Sequence, residues 1–127
     1  MATRTKRLRQ LIDLQGKLKA IHETRHAGYL RDAAAAQTEA DELAQLAGEA
    51  SPLSSLFPGL HERRITRAHE RKAEMTDLAH KEARKIAAED ARADVIRRNY
   101  RDAVRKEERA SAEKEIREIL SRPTPPK

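Results

Sequence analysis

One run in this 127-residue chain has the spacing of a catalytic metal site: His22-Glu23-Thr24-Arg25-His26. Two histidines one helical turn apart can hold a zinc ion, and the glutamate between them can activate its bound water. Such chemistry also needs a further ligand and a dry, shaped cleft for the substrate. Tyr29 stands where the longer zinc-protease pattern has glycine, and no histidine follows in register. The helical frame described below puts Ile21 and Arg25 on the packing seam and His22 and His26 beside or outside it. The expectation is therefore two surface histidines, with no metal, no cofactor and no catalytic residue.

No other constellation competes with that run. Cysteine is absent, which excludes disulfides and thiolate metal sites. Gly16, Gly28, Gly48 and Gly59 are scattered, so no loop is built to cradle phosphate. Apolar residues make up 38% of the chain, but alanine supplies 22 of them, which leaves few large side chains for a globular core. Aromatics are 2% and charged residues 38%, dominated by Glu, Lys and Arg in the manner of long helices. A compact enzyme is not expected. No window approaches the roughly 20 apolar residues that span a bilayer, so membrane insertion is not expected and a reducing cytoplasm is compatible. The basic start, Met1 to Ile12, has the look of an organelle presequence, but its apolar period runs on into the following helix.

These side chains must be positioned by helices. Gly48 and Gly59 bracket a stretch with Pro52, Pro58, three serines and the only phenylalanine, the one strong break in the helical pattern. Ser51-Pro52 reads as an N-cap followed by proline at a first helical position, inside that connection. Helix one is expected over about 3–47, the hinge over 48–60, helix two over about 61–121, and a proline-rich extended tail over 122–127. In helix one Leu11, Leu14, Leu18 and Ile21 keep a three-four spacing that Ala33, Ala36, Ala40, Leu43 and Ala47 resume; Arg25 and Tyr29 between them read as a stutter. In helix two the series Ile65, Ala68, Lys72, Met75, Ala79, Glu82, Ile86, Glu89, Ala93, Ile96, Tyr100, Ala103, Glu107, Ala110 alternates steps of three and four without a miss. Asp77 with Lys81, Asp94 with Arg98, Asp102 with Lys106 and Glu113 with Arg117 place an acid four residues before a base, the better orientation on an exposed helix face.

Helices of such length, roughly 70 and 90 Å at 1.5 Å per residue, imply an all-α, two-helix antiparallel coiled-coil hairpin. A bend near Ser54 makes facing residues add to about 108, pairing Leu11 with Ile96, Ile21 with Ile86 and Leu43 with Ile65. On that register Ile116, Ile119 and Leu120 project past helix one as an uncovered apolar stripe, which suggests a partner.

Charge is uneven. Residues 1–31 hold eight Lys/Arg and two acids, 32–60 hold five acids and no base, 61–90 hold eight bases and seven acids, and 91–127 eleven and seven. The hairpin gathers positive charge at its open end, where Arg4, Lys6, Arg7, Arg9, Arg97, Arg98, Arg101 and Arg105 are expected to steer an acidic partner. Nucleic acid is the alternative such a basic chain raises, as is a generic coiled-coil scaffold. The bases of helix two are interleaved with acids, however, and no aromatic platform accompanies them.

The start Lys6-Arg7-Leu8-Arg9-Gln10-Leu11-Ile12-Asp13-Leu14, the Ala/Glu-rich first helix, the hinge and the longer second helix ending in Arg105-Lys106-Glu107-Glu108-Arg109-Ala110 to Glu113-Lys114-Glu115-Ile116 together resemble the FliJ/YscO family over nearly all of residues 3–121. Proteins of that family are the central-stalk proteins of flagellar and type III secretion export ATPases. The resemblance implies a non-enzymatic export chaperone that promotes assembly of a hexameric ATPase ring and contacts the export gate protein and other export chaperones. It also implies a cytoplasmic protein peripheral to a membrane-embedded apparatus for protein transport.

Overall fold

In a computed structural model the described residues are 3–49 and 56–123. They form two long helices, α1 (Thr3–Ala47) and α2 (Leu60–Ser121), with no strand among them. The helices pack against each other as an all-α hairpin. The proposed N-cap at Ser51-Pro52 and the end of the tail lie outside the described residues.

Each helix ends where its sequence changes. The last turn of α1 tightens, with Gly48 N–H donating to the carbonyls of Ala44 (3.3 Å) and Gln45 (3.2 Å) and Glu49 N–H to that of Leu46 (3.1 Å). Gly59 opens α2: its carbonyl accepts from Arg63 N–H at 3.0 Å while its own φ is +83°, a value that disfavours any residue with a Cβ. Two of the four expected exposed ion pairs form, Asp77–Lys81 at 3.2 Å and Glu113–Arg117 at 3.9 Å. Arg98 instead donates to the backbone carbonyl of Asp94 at 3.5 Å.

The packing divides into two units, Met1–Leu18 with Glu89–Lys127 (unit 1) and Lys19–Ala88 (unit 2). In unit 2 the buried seam positions are Ala33, Ala36, Ala40, Leu43, Ala68, Ala79 and Glu82, six of the seven apolar, and Ala79 has no exposure at all. In unit 1 the buried positions are Gln15, Glu89 and Ala103, flanked by half-buried Leu8, Ile12, Ala93, Ile96 and Tyr100. Among the described residues no large side chain is fully buried.

The seam of α2 follows the expected series from Ile65 to Ala103, every member buried or half-buried, while Glu107 and Ala110 are exposed. The seam of α1 is a correction. Its inward positions are Thr5, Leu8, Ile12, Gln15, Lys19, His22, His26, Tyr29, Ala33, Ala36, Ala40 and Leu43. Steps of three and four alternate throughout, so there is no stutter at Arg25. Leu11, Leu14 and Ile21, expected to face Ile96 and Ile86, are 44%, 50% and 47% exposed. The leucine stripe and the alanine stripe belong to frames one residue, about 100°, apart. Only one frame can face α2 without the helix changing sides, and the alanines hold it. The overall register stands: Thr5 bonds Glu107, Gln15 bonds Glu89, His22 bonds Glu82 and Gln37 bonds Lys72, pairs whose numbers add to within about four of 108.

Candidate interaction surfaces

The seam carries two buried carboxylates, each held by the same device. In unit 2, Glu82 Oε2 lies 2.7 Å from His22 Nδ1 across the seam, and Glu82 Oε1 lies 3.5 Å from Lys85 Nζ one turn along α2. In unit 1, Glu89 Oε2 accepts from Gln15 Nε2, which also reaches the Glu89 carbonyl at 3.1 Å, and Glu89 Oε1 accepts from Arg92 at 2.7 Å. Both oxygens of each carboxylate are therefore occupied, which is what a buried anion requires. Burial pushes the Glu82 carboxyl up, but the hydrogen bonds and charges of His22 and Lys85 pull it down further, and its net position is below the ordinary carboxylate value. The cover over Glu82 is only one helix thick, so water stays close even though the residue is 5% exposed. A third polar rung, Lys72 Nζ to Gln37 Oε1 at 2.7 Å, lies in unit 2.

This geometry overturns the expected placement of the histidines. His22 and His26 face inward, both half-buried, and the His22 contact requires the proton on Nδ1. Glu23, which would activate water in a metal site, points outward in an ion pair with Lys19 at 3.7 Å. Among the described residues no group of three or more His, Asp or Glu side chains is placed to hold a metal. The run His22–His26 is a piece of helical seam.

The expected partner-binding residues all lie in unit 1 and all are exposed. Arg9 reaches across to α2, donating to the Tyr100 hydroxyl at 2.8 Å with its guanidinium 5.8 Å from the ring centroid. Arg105 shares a shallow cleft with Asp102, Lys106 and Arg109. Arg4, Lys6, Arg7, Arg97 and Arg101 extend into solvent from either side of the seam. Ile116, Ile119 and Leu120 are 56%, 60% and 78% exposed, and every residue from Arg105 to Pro123 is exposed. They do not prolong the seam, whose alternation continues through Lys114, Arg117 and Ser121; Ile116 and Leu120 each stand one residue before it.

Two further features were missed from the sequence. Glu39 lines one cleft in unit 2 with Arg64, Arg67, Ala68 and Arg71. Leu11, Leu14 and Val95 in unit 1 are about half exposed. Both become visible when the alternation of α2 and of Ala33–Leu43 is extended along α1, because that extension turns the leucines outward.

Compared with known proteins, the chain matches no family model, no curated protein and no solved structure. Among the described residues no helix is long and apolar enough to cross a membrane.

Proposed function

We propose that this chain is a non-enzymatic stalk and chaperone of a protein-export ATPase, promoting assembly of its hexameric ring and coupling it to the export gate in the cytoplasm. The observation that carries this reading is the antiparallel hairpin, the architecture that the FliJ/YscO resemblance implies. The bases at the paired helix ends add to it. Arg4, Lys6, Arg7 and Arg9 on α1 and Arg97, Arg98, Arg101 and Arg105 on α2 are exposed and belong to the same unit, where an acidic lining on the ATPase would attract them. Ile116, Ile119 and Leu120 then supply apolar contact on the last turns of α2. In this reading the ATPase belongs to a flagellar or a virulence export system, and other export chaperones are further partners.

A pull-down with the full chain from native lysate tests the proposal. Recovery of a hexameric ATPase, lost when Arg97, Arg98, Arg101 and Arg105 are changed together to Glu, is the expected result. Recovery of nucleic acid sensitive to the same change would establish the basic-helix alternative. Recovery of neither would leave a generic coiled-coil scaffold as the better description.

A further inference from the structure

We propose that the face of unit 1 carrying Leu11, Leu14 and Val95 is a docking surface for an amphipathic helix of a partner protein whose margins are acidic. The residues are 44%, 50% and 49% exposed, on a chain in which 38% of residues are charged. Leu11 and Leu14 each stand one residue before a seam position of α1 (Ile12, Gln15), and Val95 stands one before Ile96 on α2. On two antiparallel helices such positions rotate to the same side of the pair, because both turn with one hand but run in opposite directions. Unit 2 displays the rule: Glu39, one before Ala40, lines a single cleft with Arg64, Arg67 and Arg71, which stand one before Ile65, Ala68 and Lys72. In unit 1 the same rule joins the two leucines and the valine into one apolar strip, with half-buried Leu18 at its edge.

The strip's spacing and charge specify its occupant. Leu11, Leu14 and Leu18 follow a three-four step, the period at which side chains interdigitate with another helix. Arg4 and Arg7 continue that row toward the chain start, and on α2 the equivalent positions include Arg92, Lys106 and Arg109 against two acids, Asp102 and Glu113. The opposite side of the unit is different. Positions one residue after the seam are close to charge balance, with five bases, Lys6, Arg9, Arg97, Arg101 and Arg122, against six acids, Asp13, Asp90, Asp94, Glu108, Glu115 and Glu118, and hold no exposed large apolar residue. One side is thus apolar and basic, the other polar and neutral. A second copy of this chain would set the same basic margins against each other, a like-charge cost that a carboxylate-lined helix turns into attraction. A bilayer surface would be favoured by aromatic anchors, which this strip lacks. Arg4 and Arg7 also belong to the surface proposed above for the export ATPase. The test below contains no ATPase, so its outcome is independent of that reading.

The probe is a fluorescent synthetic peptide of about four heptads with Leu at a and d and Glu at e and g, which repels itself at neutral pH and gains helix only on a complementary partner. Its twin carries Lys at e and g. With the full chain, the acidic peptide is expected to bind saturably by anisotropy, to gain helicity by circular dichroism, and to weaken as salt rises. Leu14→Glu on α1 and Val95→Glu on α2 should each weaken it by about tenfold or more, and the Lys twin should bind at least about tenfold more weakly. Both positions face solvent, so the variants should keep the urea midpoint, and either one suffices if the other does not fold. Equal binding of the two peptides, or none, would overturn the proposal. So would a wild-type dimer in sedimentation that Leu14→Glu returns to monomer, or capture by phosphatidylglycerol vesicles without capture of the acidic peptide.

Discussion

Glu82 and Glu89 sit one heptad apart on α2 and are held alike, each by one donor across the seam and one base three residues on, yet their surroundings differ. Glu82 follows the fully buried Ala79 in the seam of unit 2 and is met by a titratable partner, His22. Glu89 lies in unit 1, followed along the seam by half-buried Ala93 and Ile96, and is met by Gln15, which carries no charge at any pH. The two rungs thus serve one structural purpose, occupying both carboxylate oxygens so that only one register leaves no buried anion unpaired. They differ in the donor that crosses the seam, an imidazole in one and an amide in the other. An alanine seam gives close approach but little distinction between one turn and the next, since alanines are interchangeable. Polar rungs supply the distinction, at some cost in stability relative to apolar pairs.

The largest test of this comparison loads a charge where no rung exists. Ala79→Asp puts a carboxylate at a position with no exposure, with no partner designed for it, and should cost about 3 kcal/mol or more in urea unfolding. The same change at Ala103 in unit 1, 7% exposed, should cost less, because water reaches that position. If the two losses are equal, the alanine seam is not the tighter of the two.

Breaking the rung in unit 1 comes next. Gln15→Leu leaves the Oε2 lone pairs of Glu89 facing a methyl group and should cost roughly 1–3 kcal/mol. Replacing both, Gln15→Leu with Glu89→Leu, should recover most or all of that loss. Cross-linking cysteines introduced on the two helices of the double variant should then trap neighbouring registers as well as the native one. A double variant that traps a single register would show that the rung does not specify alignment.

Acid sharpens the comparison further. The Glu82 carboxyl is held below its ordinary value of 4.5, so its contribution is complete above that pH and is lost as pH falls through the lowered folded value. His22→Ala removes a cause of the depression, so the acid-side loss of stability should begin at higher pH than in the wild type. His22→Gln copies the Gln15–Glu89 arrangement into unit 2 and should restore a cross-seam donor without the imidazole. Urea midpoints measured from about pH 3 to pH 6 should show the His22→Ala curve with a lower plateau and an earlier fall on acidification than the wild type, and His22→Gln between them. Superposed curves for wild type and His22→Ala would remove His22 as a cause.

The smallest effect is expected beyond the seam. Ile116→Glu with Leu120→Glu alters residues 56% and 78% exposed and should change the unfolding midpoint by no more than about 0.5 kcal/mol equivalent. It should nevertheless weaken recovery of the proposed ATPase partner. A substantially lower midpoint would mean that these residues pack in the folded chain.

Much of this molecule was legible without coordinates. Gly48 and Gly59, the prolines between them and the unbroken alternation from Ile65 to Ala103 imply two helices, the place where they part and the inward face of α2, because periodicity and backbone restriction are properties of a single segment. The antiparallel register was legible too, since a short connection leaves little choice of alignment. The inward face of α1 was not. Two stripes one residue apart competed for it, and judged by hydrophobicity alone Leu11, Leu14 and Ile21 win. The pair decided otherwise. Ala33, Ala36 and Ala40 are buried, while Gln15 and His22 answer Glu89 and Glu82, contacts that exist only when both helices are present. Because two stripes on one helix cannot both face the same partner, settling the seam also turned the leucines outward, and with them the surface proposed here for an acidic helix.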